Sequence, residues 1–347
     1  MRFRFIKYAL PLLLFAGIFR SFMTTGWQVW IPLLIAWVLI PLAELLLPAD
    51  KQNLESTEEE MARYDRRYDW ILYSIVPLQY AALFVFLHSL ADPQLSFWDY
   101  AGRTWVMGLA CGVFGINVGH ELGHRINRGE QLLAKMLLLT SQYMHFYVEH
   151  NKGHHKRVAT PEDPSSARYG EWIYHFYYRS IVFSYISAWQ IASREARKKG
   201  RSPFSLYNEM VQYTLIQLAF VSVVYWFFGW LALSCYLAAA AIGILLLETV
   251  NYIEHYGLSR RSLGEGKYER AMPAHSWNSD HVIGRLLMFE LSRHSDHHYL
   301  ASRRYQVLRH HDESPQLPTG YPGMMLLALV PPAWFYVMNK RVSLYRA

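Results

Sequence analysis

His120 and His124 stand four residues apart in HELGHR, with Glu121 beside the first. On a helix this spacing sets both imidazoles on one face to hold a metal, and the neighbouring glutamate is the residue a zinc protease uses as its base. Three more words carry the same donor: EHNKGHH supplies His150, His154 and His155, NYIEHYGL supplies His255, and LSRHSDHH supplies His294, His297 and His298. Pairs at i,i+4 (120/124, 150/154, 294/298) and at i,i+3 (294/297) reach one ion where the surrounding chain is helical. A mononuclear site uses about four to six donors, so nine imidazoles imply two metals. A zinc protease needs two histidines, a third ligand and a free glutamate, and it leaves EHNKGHH and HSDHH without a task. Cys111 and Cys235 both fall in apolar runs and offer no CxxC knuckle, so any metal is held by His, Asp or Glu.

The elements that must position these donors are membrane helices. With 52% hydrophobic, 16% aromatic and only 18% charged residues, a chain of 347 residues is too apolar for a soluble protein. Apolar runs near the ~20 residues that cross a bilayer lie at about 6–22, 26–48, 70–90, 99–119, 207–229 and 231–253. The first follows the basic start MRFRFIK, but no A-x-A-like cleavage site follows it and another span comes at once, so it is expected to stay in the mature protein. Spans one and two, and spans five and six, have very short connections and are expected to be antiparallel hairpins. Segment 125–206 holds 13 Lys and Arg and segment 259–347 holds 12, of 34 in the chain, whereas the loops MTTG and ADPQLSFW hold none. The positive-inside rule therefore places the N-terminus, loop 49–69 and both basic segments in the cytoplasm. The formal charge of +7 belongs to that face, suited to anionic lipid headgroups or an acidic protein; no motif supports nucleic-acid binding. The apolar run 321–338 carries a Pro-Pro pair at its middle and is read as interfacial rather than as a seventh span. All the histidine words fall at the cytoplasmic edge, although the topology argument used none of them. The fold class is thus an all-α integral membrane protein: one membrane-embedded unit over 1–347, six spans, and a cytoplasmic helical cap (125–206 and 254–347) holding a histidine-rich dimetal site.

A metal transporter or sensor is the non-enzymatic alternative. It requires ligands strung along a path through the bilayer, and spans one to three contain almost no polar residues.

HELGHR, EHNKGHH, NYIEHYGL and LSRHSDHH together resemble the four histidine motifs of the integral-membrane alkane 1-monooxygenases, within the membrane fatty-acid desaturases and hydroxylases. The likeness continues through VATPEDP at 158–164, HSWNSDH at 275–281 and RYQVLRHHDESPQLPTGY at 304–321. Arg125 stands where the family usually has Lys, and Ser292 and Tyr299 flank the third box where Gln and Ala are common; Tyr299 is expected to alter the surroundings of His298. The resemblance implies a non-haem di-iron enzyme that inserts one oxygen atom of O2 into the terminal C–H of an n-alkane. Imidazole suits several metals alike, but an alkane offers no carbonyl to polarise and no acidic proton, so a redox metal with O2 must carry the hard step. Xylene-type side chains and fatty acyl chains are the alternative substrates.

The chain shows no flavin, haem or nicotinamide fingerprint and no rubredoxin-type CxxC pairs. The resemblance implies a separate rubredoxin, reduced by an NAD(P)H-dependent reductase, and the inner membrane of a bacterium as the location. Around the nine expected ligands, Glu121, Glu149, Glu254, Asp296, His275 and His281 are candidates to orient the imidazoles. His88, His145, His175, His310 and His311 read as ordinary interfacial or core residues. Trp37, in the second span, is a candidate floor of the substrate channel.

Overall fold

A computed structural model describes residues 4–345. Apart from one small antiparallel hairpin, Ser262–Gly264 against Lys267–Tyr268, its regular structure is helical. Four described stretches are long and apolar enough to cross a membrane: Arg4–Met23, Gly26–Leu46, Arg66–Ser89 and Glu209–His255. The last is not one rod. Gly229 adopts φ 77° and ψ −178°, a region essentially reserved for glycine. Phe220 and Tyr236 then meet with ring centroids 5.9 Å apart, whereas a straight helix would separate them by about 24 Å. The chain turns back at Gly229, as the run pattern around it predicts.

The run expected at 99–119 is a helix over 97–123, continuous through a π-helical segment, Cys111–Ile116. It is less apolar than the others because Asp99 and Arg103 are buried near its start. Both are used: Asp99 accepts from the Gly26 N–H at 2.6 Å, and Arg103 donates to the carbonyls of Ser89 and Thr24. The two connections at that end, 24–25 and 90–96, are thereby tied together. Farther along, this helix presses on the helix after Gly229. A Cβ on Gly108 would lie 2.5 Å from Ile242 Cγ2, and one on Gly243 would lie 2.6 Å from Cys111 Cβ. Small residues permit that approach, and it sets the helix carrying His120 beside the helix carrying His255.

The run 321–338 breaks where its prolines require, into Tyr321–Ala328 and Pro331–Val342, with Pro331 opening the second helix. It is more enclosed than a surface-lying segment. Trp334 is fully buried against Tyr252 and Tyr256, at 5.2 and 5.3 Å, and so braces the end of the helix that carries His255. Glu44, near the end of the second apolar stretch, is also buried and accepts from the Gly284 N–H at 2.6 Å, joining that stretch to the cap.

Candidate metal centre

The nine histidines come together, in two groups. His120, His124, His150, His155 and His297 form one, and His154, His255, His294 and His298 the other, with the donor atoms of each group within 4.8 Å of one another. Six Nε2···Nε2 contacts are short: 120–297, 124–150, 150–155 and 155–297 at 3.0–3.1 Å in the first group, 154–298 and 255–294 at 3.2 Å in the second. Each of the six lies within a group. A neutral imidazole has one donor and one acceptor nitrogen, so a ring of Nε2 atoms facing each other cannot satisfy all its members. A shared cation can. Two nitrogens ~2.1 Å from one ion and at right angles about it stand ~3.0 Å apart, which is the spacing seen. Burial, with His154 next, holds the His297 imidazole down to about 3, so it is neutral as a ligand must be.

Local helix geometry decides which histidine joins which group. His120 lies in the last turn of the 97–123 helix and His124 caps it, placing both in the first group. His150–His154 is a π-helical turn in which the His155 N–H reaches back to the His150 carbonyl. That turn brings residues five apart together. His150 and His155 share the first group while His154 goes to the second, so the expected 150/154 pairing is corrected. In His294–Tyr299 the α-helical pair 294/298 stays together, and His297 swings to the other group.

The residues flanking the histidines fall into distinct roles. Glu254 Oε2 lies 3.1 Å from His294 Nε2, while Oε1 accepts from the Tyr321 hydroxyl. Glu121 pairs with Arg125 at 2.6 Å and accepts from the Tyr305 N–H; Glu149 pairs with Arg157. Asp296 is held by Arg303, by His311 at 2.7 Å and by the Arg309 N–H. His275 accepts from the Met272 N–H and lies 3.4 Å from Glu269, and His281 lies 3.1 Å from Ser279. Tyr299 turns towards His311 and Arg270 rather than lying over His298.

Asp163 was not singled out by sequence, and it is the carboxylate that fixes His154. Its Oδ2 lies 2.8 Å from His154 Nδ1 and accepts from Ser166 at 2.6 Å. Burial alone would raise this carboxyl, but His154 and these hydrogen bonds together bring it down to about 2. Arg179 holds the same loop: it clasps Glu171 through two bonds of 2.7 Å and donates to the carbonyls of Pro164 and Ser166. The only signal was VATPEDP itself, whose aspartate lies nine residues beyond its histidine and outside any helical spacing.

An apolar cavity of about 110 Å3 opens onto both groups. His120, His150, His294 and Glu254 form its polar end; Trp37, Ile40 and Leu14 are among the apolar residues of its wall. Trp37 lies in a third π-helical segment, Ile35–Leu39, half-buried.

Residues 100–328 match the family described as Fatty acid desaturase. Alkane 1-monooxygenase 1 of Pseudomonas aeruginosa is 46% identical over 253 residues, which cover 72% of this chain and 66% of that protein. Alkane 1-monooxygenase 2 of the same organism is 40% identical over 322 residues, covering 92% and 85%. The xylene/toluene monooxygenase hydroxylase component of Pseudomonas putida is 31% identical over 240 residues, covering 69% and 63%. With nine imidazoles gathered beside an apolar cavity and these relatives along most of its length, the chain belongs to the alkane 1-monooxygenases, within the fatty acid desaturase family.

Proposed function

We propose that this chain hydroxylates the terminal methyl of n-alkanes, RCH3 + O2 + 2e− + 2H+ giving RCH2OH + H2O, at a non-haem di-iron centre. The observation that carries the reading is the pair of all-imidazole groups at the polar end of an apolar cavity. His120, His124, His150, His155 and His297 would hold one iron, and His154, His255, His294 and His298 the other. Iron supplies the redox chemistry with O2 that an unactivated C–H bond requires. Glu254 stands where a carboxylate can assist the second ion, and Asp163 fixes the ring of His154.

The rest of the protein's share is placement. Leaving lipid for a dry cavity gives an alkane almost no hydrophobic gain, because the bilayer is as apolar as the wall. Shape must orient the chain, and a narrow cavity closed by Trp37 presents the terminal carbon to the imidazole end. Six spans, at 4–23, 26–46, 66–89, 97–123 and either side of Gly229, set the centre at the cytoplasmic face of a bacterial inner membrane.

Electrons come from a rubredoxin, itself reduced by an NAD(P)H-dependent reductase; the basic cytoplasmic segments favour an acidic carrier. Raising ionic strength should slow reduction of the enzyme by rubredoxin, and a rate indifferent to salt would remove the electrostatic contact. Similarity to the xylene/toluene enzyme keeps one second reading in play, hydroxylation or desaturation of an aromatic side chain or a fatty acyl chain. Purified enzyme given octane, dodecane, xylene and a fatty acid in parallel should form 1-alkanols first and carry about two irons per chain, as two donor groups require. Oxidation of xylene or fatty acid in preference to alkane would overturn the substrate assignment, and iron-free protein would overturn the chemistry.

A further inference from the structure

A string of rings leads away from the imidazoles towards the surface. Its meaning rests on reading the site as a dimetal oxygenase. Phe146 stacks on His150, centroids 4.7 Å apart and planes inclined 28°, and lines the apolar cavity. Tyr143 stacks on Phe146 at 6.1 Å. His145 lies 4.3 Å from Tyr143, and Tyr185, which is 40% exposed, lies 5.1 Å from His145. Tyr143 itself is buried, and its hydroxyl donates to Glu248 Oε1 at 2.9 Å, while Ser180 and Asn251 donate to Oε2. His145 Nε2 has no hydrogen-bond partner among the described residues.

Tyrosine is oxidised far more easily when its phenolic proton can leave with the electron, and Glu248 stands where that proton would go. The string is not suited to bring electrons in. A carrier that NAD(P)H can recharge is too weak a reductant to place an electron on a tyrosine ring, and too weak an oxidant to take one from it. The surface near Tyr185 is also apolar, with Tyr178, Phe183 and Ile186 exposed, and does not match a charged carrier. Metals at this centre would supply, with O2, an oxidant strong enough to oxidise tyrosine, and it would be left unspent whenever no substrate C–H is in place.

We propose that Phe146, Tyr143, His145 and Tyr185 form a relay that drains oxidising equivalents from the metal centre to the protein surface. One electron passes from Tyr143 across Phe146 to the centre, and the Tyr143 proton passes to Glu248, leaving a neutral tyrosyl radical. An electron from Tyr185 then refills Tyr143, which recovers its proton from Glu248, while the Tyr185 proton goes to water. A soluble thiol restores Tyr185 by giving up a hydrogen atom, and two thiyl radicals pair as a disulfide. The relay spares the imidazoles from self-oxidation.

The test exposes reduced, iron-loaded enzyme to O2 without alkane, then reads freeze-quenched EPR spectra and maps oxidised peptides. The wild type should show a tyrosyl radical and oxidation at Tyr185. Tyr143→Phe keeps the ring but not the proton; it should lose most of that signal and shift damage to Phe146 and the histidine-bearing peptides. Tyr213→Phe, which also removes a buried hydroxyl bonded to a carboxylate, Glu209, should behave as wild type. A Tyr143→Phe radical at wild-type yield, or an equal loss in Tyr213→Phe, overturns the relay. If Tyr143→Phe does not fold, Tyr185→Phe at the surface decides: the radical should persist longer on Tyr143, and an unchanged lifetime overturns the proposal. Enzyme that makes 1-alkanol yet shows no radical sinks the relay alone, whereas absence of bound iron sinks the oxygenase reading.

Discussion

The two imidazole groups are built from the same side chain but are not equivalent. The first is five histidines from three segments, His120 and His124, His150 and His155, and His297, linked by four short nitrogen contacts. The second has four histidines and two carboxylates against it, Glu254 beside His294 and Asp163 behind His154. One group gains its donors by number, the other by negative charge close at hand. A cation in the second meets a more anionic surrounding, so two ions of one element would differ in affinity and in redox potential.

Removing a donor tests whether the groups are separate sites. His297→Ala and His255→Ala should each lower iron from about two to about one per chain, and each should cut 1-alkanol formation by more than ~100-fold, past the range typical of changes behind a ligand. Loss of the same ion in both variants, read by iron analysis and spectroscopy, would collapse the distinction. Asp163→Asn should weaken the second group alone, by about 10–100-fold in resistance to a chelator. Equal release from both groups would show that the carboxylate is not local in its effect. Trp37→Ser leaves both groups intact and should move the product ratio towards longer alkanols by several-fold, measured with mixed alkanes; an unchanged profile removes Trp37 from the wall that sets length.

The smallest effect concerns acid. Burial opposes ionisation of Glu171, but Arg179 and the Arg168 N–H hold its carboxyl below the ordinary value of 4.5. A depressed folded value means stability that is present above the unfolded value and lost as pH falls through the folded one. Below pH 4.5 the clasp on the Asp163 loop should therefore loosen, lowering the melting temperature and releasing the second ion before the first. Glu171→Gln should flatten that acid limb, and an identical limb in the variant would place the acid sensitivity elsewhere.

Much of this arrangement was legible along the chain. The hydropathy runs anticipate the helices and the turn at Gly229, and the histidine words name all nine residues that the fold gathers. The words do not reveal their division, because on an α-helical wheel the 150/154 and 294/297 spacings place each pair on one face. A π turn has no composition of its own, and Cys111–Ile116, Ile35–Leu39 and His150–His154 look like ordinary helix. Asp163, Arg179 and Glu44 escaped for another reason: each acts on a partner set by tertiary packing, which neighbours in sequence do not disclose. Carboxylates adjacent to histidines in sequence need not face them: Glu121 and Glu149 face arginines, since adjacent helical side chains diverge.

The wide turn at His150–His154 has a consequence for how such a centre can change. Register there is a matter of counting: with one residue fewer the coil would tighten to an α turn, and His150 and His155, then four apart, would still share a face. Shortening the stretch between His150 and His155 by a single position would thus leave the first pair on one face and delete no imidazole; what it would change is the place of His154, brought from four to three residues after His150.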